Sequence, residues 1–168
     1  MTKLAFVFSA LVFVSTSFAM AAGVNQLAGD YQLVDSRVVK GTTKCFNRII
    51  IDIQGTQAEV TSPELAAYGP STLFKGDING PSNEISGGHG EAGTSYKGQQ
   101  SVKFENGILT FATKANMKVL GIPSGTSTET FIVEPTKTAG LIKVTYKTFE
   151  GVVGIGDRTE ALCAYQKN

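Results

Sequence analysis

The chain has 168 residues, with 15 basic and 14 acidic side chains, one histidine, two cysteines and no tryptophan. A nearly neutral balance without any basic run excludes an electrostatic partnership with nucleic acid. The length suits one domain able to bury a proper core.

The chain opens on Lys3, an apolar run over residues 4–14, and the small-residue end Ala19-Met20-Ala21. That order is the pattern of a secretory signal peptide, with cleavage expected after Ala21. The run is too short for a spanning helix, which needs ~20 residues. Residues 1–21 are therefore expected to be removed, leaving 147 residues (168 − 21) as a single exported β domain, residues 22–168. Export, to the periplasm or beyond the cell, also sets the redox state. An isolated pair of cysteines in an oxidising compartment is expected to join as a Cys45–Cys163 disulfide.

The first strand is expected from Gly29, with Tyr31 and Leu33 on one side, until Lys40-Gly41-Thr42-Thr43 breaks it. Residues 47–54 alternate cleanly, Ile49, Ile51 and Ile53 against Arg48 and Asp52, and residues 58–61 begin the return after a turn at Gly55. Ser62, Pro63 and the exit at Gly69 give the only helix signal, too short to shape the architecture. Residues 71–77 resume the strand pattern. Residues 79–93, with five glycines and no apolar period, are expected to form a long flexible loop.

Residues 101–113 carry the strongest local signal. Asn106-Gly107 between two alternating runs marks a two-residue hairpin turn, and that turn fixes the register. Phe104 then faces Leu109 and Val102 faces Phe111; continued, Gly98 faces Ala115 and Tyr96 faces Met117. Strands this long are comfortable in a tilted barrel. Residues 121–125 are expected to turn the chain. Strands follow at 128–133, at 141–149 with Ile142, Val144 and Tyr146 inward, and at 159–166 with Cys163 inward. The total is eight or nine strands in an all-β antiparallel up-and-down barrel, with a β-sandwich as the alternative.

Chemistry is sparse in this pattern. His89, the only histidine, lies among glycines without a G-x-S-x-G elbow to present a serine, so no catalytic residue is assigned. Glu84 and Glu91 are too few to make it a metal site, and no metal or cofactor is expected. Gly88, Gly90 and Gly93 match a dinucleotide fingerprint letter for letter but lack the helix its mechanism requires. Glu129, Glu134, Glu150, Asp157 and Glu160 gather in the last third and are expected on the solvated face or at strand ends. Tyr68, Tyr96, Met117 and Ile122 are candidates to rim a mouth. The inner face of the long hairpin thins to small and weakly polar residues at Gly98, Gln100, Thr113 and Ala115, which either leaves a cavity for a ligand or simply receives a bulky neighbour. Candidate lining residues are Tyr96, Gln100, Phe111, Thr113, Met117 and Tyr146.

Gly29-Asp30-Tyr31 near the start of the mature chain and Arg158 just before the last strand resemble the lipocalin and wider calycin pattern. That family opens its first strand with Gly-x-Trp, where this chain has Tyr31, and its middle motif is missing here. The resemblance implies an eight-stranded barrel around a small apolar ligand, with Arg158 packed over Tyr31. The expected function is an exported, monomeric carrier of a small, largely apolar molecule. The alternatives are an interaction or inhibitor protein with a filled core acting through surface loops, and third an exported hydrolase.

Overall fold

The computed structural model describes residues 23–67, 72–89, 93–152 and 155–168. The expected signal peptide and Tyr68 lie outside the described residues.

Ten strands follow in order: β1 (Gly29–Lys40), β2 (Arg48–Gln54), β3 (Gln57–Thr61), β4 (Thr72–Asp77), β5 (Asn83–His89), β6 (Thr94–Glu105), β7 (Ile108–Val119), β8 (Ile122–Pro135), β9 (Leu141–Val152) and β10 (Ile155–Lys167). They form one antiparallel sheet in the order β4-β3-β2-β1-β10-β9-β8-β7-β6-β5, a nearly closed barrel. The helix signal becomes a single 3₁₀ turn, Pro63–Ala67. Ser62 does not act there through its side chain: the buried hydroxyl donates to the carbonyl of Arg48 at 3.0 Å.

The hairpin register holds pair by pair, from Glu105 opposite Ile108 to Tyr96 opposite Met117. Asn106 and Gly107 sit at φ +53° and +81°, the left-handed conformations that the two-residue turn needs.

Two expectations about the strands change most. The glycine-rich stretch at 79–93 contains β5, whose residues pair with β6 from Asn83 opposite Gln100 to His89 opposite Thr94. Glycine removes side chains but not the backbone donors and acceptors of an edge strand, so pairing survives without apolar period. The turn expected over residues 121–125 is only Leu120-Gly121, and β8 begins at Ile122, opposite Val119. These two differences account for the tenth strand and the greater length of β8.

Beyond one backbone bond, the Asn79 N–H to the Val102 carbonyl at 2.8 Å, closure is made by side chains. The backbone ladder between β4 and β6 reduces to one parallel bridge, Ile78 with Val102. Asn79 acts as a surrogate strand residue: its Oδ1 accepts from the Phe104 N–H at 2.9 Å and its Nδ2 donates to the Phe104 carbonyl at 3.2 Å. Gln100 spans the seam with one bond and is braced from β7 by a second. Its Oε1 accepts from the Lys75 N–H at 2.7 Å and its Nε2 donates to Thr113 Oγ1 at 2.8 Å.

Inward residues divide the barrel into two halves. One end is a filled floor, where Phe74, Phe111 and Phe131 meet with ring centroids 5.5–6.5 Å apart. A helical turn over residues 23–27 plugs this end with Val24 and Leu27, and Tyr31 donates to the Leu27 carbonyl at 3.0 Å. The Cys45–Cys163 disulfide, Cα atoms 5.8 Å apart, ties the segment before β2 to β10. Arg158 does not pack over Tyr31. The β1–β10 register sets Tyr31 opposite Lys167, whose Nζ lies 6.0 Å from the ring, while Arg158 lies over Phe149 at 5.5 Å.

Candidate functional site

Above the aromatic floor the inward positions become small or polar, and a cavity of about 670 Å³ opens. The volume falls within the usual range for small-molecule sites, roughly 300–1,000 Å³. It arises from strand parity. On β7 the inward series runs Leu109, Phe111, Thr113, Ala115, Met117, so bulk falls away two residues above Phe111. On β6 it runs Phe104, Val102, Gln100, then Gly98, where no side chain projects at all.

Tyr96, Gln100, Thr113 and Met117, four of the six residues expected to line a site, line this cavity. Phe111 does not: it is fully buried in the floor beneath. Tyr146 is partly buried beside the floor, 6.0 Å from both Phe131 and Phe46 by ring centroid. Apolar contributions to the lining come from Leu73, Ile85, Ala115 and Met117.

The cavity also takes in two carboxylates expected on the solvated face or at strand ends: Glu150 is exposed near the end of β9, as expected, whereas Glu129 is half-buried. Glu129 and Glu150 both line the cavity, with Ser127 between them on the same face. The strand pairing sets Glu129 opposite Thr148 and Glu150 opposite Ser127, so the two acids are diagonal neighbours pointing inward. Burial, reinforced by the Glu150 charge, pushes the Glu129 carboxyl above the usual glutamate range. Burial with the same two acids nearby pushes the Tyr146 hydroxyl up, keeping it protonated. The result is a cavity whose apolar lining, from β4, β5 and β7, is joined by two carboxylates from β8 and β9, with Tyr146 packed outside it beside the floor.

The signal for Glu129 and Glu150 was present in the parity. Glu129 stands two residues before Phe131, and Glu150 four after Tyr146, on strands whose apolar phase was already fixed. Both strands extend past their apolar cores, and that extension carries the acids inward.

Gln100 is 8% exposed, and both ends of its amide are anchored, the oxygen by the Lys75 N–H and the NH2 by Thr113. It therefore shapes the wall rather than offering a free group. His89 is the last residue of β5, and its side chain lies outside the described residues, as do Gly90 and Glu91. Gly93 leads directly into β6, so the Gly88, Gly90, Gly93 match has no helix after it. Ile122 sits exposed on the rim. No group of three or more acidic, histidine or cysteine side chains suited to a metal occurs among the described residues. None of the described helices is long and apolar enough to cross a membrane.

No family model, curated protein or solved structure matches this chain.

Proposed function

We propose that the protein is an exported β-barrel carrier that binds a small, largely apolar molecule inside the upper half of the barrel. The cavity of about 670 Å³ above a filled aromatic floor is the observation that carries this reading. A filled interior would have favoured a protein acting only through its surface. The lining refines the ligand: an apolar body against Leu73, Ile85 and Met117, with a hydrogen-bond donor or amine directed at Glu129 and Glu150. A ligand cation between two carboxylates relieves their mutual repulsion, an advantage a wholly apolar ligand lacks. The disulfide and the leader-like first 21 residues support export.

Native mass spectrometry of the protein purified from its own exported fraction, without solvent extraction, tests the reading. The expected spectrum shows a small molecule that leaves on unfolding and is depleted in a Thr113→Phe variant with a narrowed cavity. A bare mass, with no binding in a panel of apolar amines, would sink it.

The hydrolase reading gains one specific observation, a cavity-lining carboxylate pair of which one member, Glu129, holds its proton more tightly than an ordinary glutamate. Acid–base hydrolysis of glycosides needs such a pair. Turnover of chromogenic glycosides that Glu129→Gln and Glu150→Gln each abolish would support it; no turnover across the panel would remove it.

A further inference from the structure

The mouth end of the barrel carries large apolar side chains that folding does not explain. Leu120 is 78% exposed and Ile122 69% exposed at the β7–β8 tip; Ile155 is 83% exposed at the start of β10, with Val152 also exposed opposite it. Scattered exposed hydrophobics are ordinary, but these gather on two neighbouring hairpins at one end. The hairpins are held edge to edge directly beneath their tips. Thr126 pairs with Gly151, and a Cβ on Gly125 would meet the Gly151 carbonyl oxygen at 2.5 Å, so only glycine permits the approach.

The β7–β8 turn makes the point sharper by comparison with its counterpart at the other end. Both turns have two central residues at positive φ: Asn106-Gly107 at +53° and +81°, Leu120-Gly121 at +51° and +81°. Asparagine is favoured in the first position because its short polar side chain tolerates the left-handed region. Leucine there is strained and gains little burial to offset the strain, since its side chain only rests against Gly93. Local folding physics favours asparagine at position 120, so the leucine calls for a partner outside the chain.

The charge beside the tips identifies that partner. On the outer face of β6 and β7, a hollow of about 540 Å³ is lined by Lys97, Lys114 and Lys118 with a single acid, Glu84. Glu84 pairs with Lys97 at 3.6 Å. Among the described residues no carboxylate lies within salt-bridge distance of Lys114 or Lys118. Lys118 is adjacent to Val119 at the tip, and on the second hairpin Arg158 follows Ile155 by three residues, beyond Asp157. On the β6–β7 side, cations set just behind the apolar tips are arranged as a bilayer interface is, acyl chains inside and anionic headgroups around. Behind the β9–β10 tip Asp157 faces Glu150, so contact with headgroups falls to the β6–β7 side.

We propose that the mouth of the barrel docks on an anionic lipid bilayer, with Leu120, Ile122 and Ile155 entering the acyl boundary and Lys114 and Lys118 meeting phosphate headgroups. Docked this way, the cavity opens toward the membrane. The proposal stands on the tips and the lysine hollow and does not depend on the cavity being a ligand site.

The absence of tryptophan supplies a clean probe. The Leu120→Trp protein, and a Thr138→Trp control in the exposed β8–β9 turn at the floor end, are mixed with phosphatidylglycerol–phosphatidylcholine vesicles and with pure phosphatidylcholine vesicles. Expected is a blue shift of the Leu120→Trp variant alone, with anionic vesicles, reversed by high salt. In co-sedimentation, Lys114→Gln and Lys118→Gln each weaken partitioning about fivefold. Leu120→Ser with Ile155→Ser removes it without lowering the melting temperature, since both residues are solvent-exposed. No shift with either vesicle, an equal shift of both tryptophans, or partitioning insensitive to all four substitutions overturns the proposal.

Discussion

Replacing Asn79 by alanine tests how the barrel closes. The ladder between β4 and β6 is one bridge long, and the Asn79 side chain supplies the two hydrogen bonds that a further strand residue would give Phe104. Each such bond contributes roughly 1 kcal/mol net, and leaving the Phe104 N–H without an acceptor adds about 1 kcal/mol or more. Asn79 also sits at φ +57°, where alanine is less favourable by about 1 kcal/mol. Allowing for overlap between these contributions, Asn79→Ala should cost about 2–4 kcal/mol. For a chain of this length that lowers the melting temperature by about 5–15 °C. Asn79→Asp keeps the acceptor for Phe104 N–H and tolerates the backbone, so it should fall between wild type and alanine. Circular-dichroism melts give the energies, and hydrogen exchange at Phe104 locates them: its amide should be protected in the wild type and Asn79→Asp, and fast in Asn79→Ala. An alanine variant that melts within 1 °C of wild type, with the Phe104 amide still protected, refutes side-chain closure at this seam.

Glu129 should impose a pH-dependent cost on the fold. Its carboxyl is raised above the usual glutamate range in the folded state, so the folded chain binds that proton more tightly than the unfolded one. Stability then falls as pH rises from the ordinary glutamate value through the raised one, and the deficit persists above it. Glu129→Gln should therefore raise the melting temperature at pH 7 and lose that advantage near pH 4; an equal gain at both, by differential scanning fluorimetry, contradicts it. Removing the disulfide with a reductant should lower stability by about 4–5 kcal/mol, from the loop entropy of a 118-residue separation. Coincident melts with and without reductant, with both thiols shown to be free, would count against that figure. Phe111→Ala deletes the centre of the aromatic floor and should cost about 3–5 kcal/mol in urea unfolding; a loss below 1 kcal/mol would mean the floor is not packed as described.

The fold was legible wherever turn chemistry and apolar alternation agreed. Asn106-Gly107 set twelve residue pairs of β6 and β7 without help from the rest of the chain. β5 was illegible for a physical reason. Its glycines, Gly87 and Gly88, leave alternation nothing to act on, while its stability comes from backbone pairing with β6. The turn at Leu120-Gly121 was hidden differently. Leucine is a poor residue for that conformation, so no local rule points to it, and the misleading cues were Pro123 and Gly125 just beyond. Arg158 misled by its sequence neighbourhood: proximity to the last strand says nothing of which inward aromatic it meets, and the β1–β10 register gives that place to Lys167.

The site was half legible, because composition and parity pull in opposite directions at Glu129 and Glu150. A charged residue on a strand is most economically assigned to water, and that rule holds for Lys103, Glu105 and Lys143. Parity overrides it when the strand outruns the packed core. β8 and β9 keep their inward phase for several residues past Phe131 and Tyr146, and there is no core left for those positions to join. An inward acid there is tolerable because the cavity keeps it near solvent, yet burial still raises Glu129. The same lengthening carries both hairpins beyond the end of β1, whose last pair is Lys40 with Glu160. One structural choice, strands longer than the core needs, thus produces the acidic cavity wall below and the apolar tips above. Shortening the β9–β10 hairpin by paired deletion of Gly151 and Gly156 should therefore disturb cavity and rim together while sparing the aromatic floor, and a variant that lost only one of the two would separate what this geometry joins.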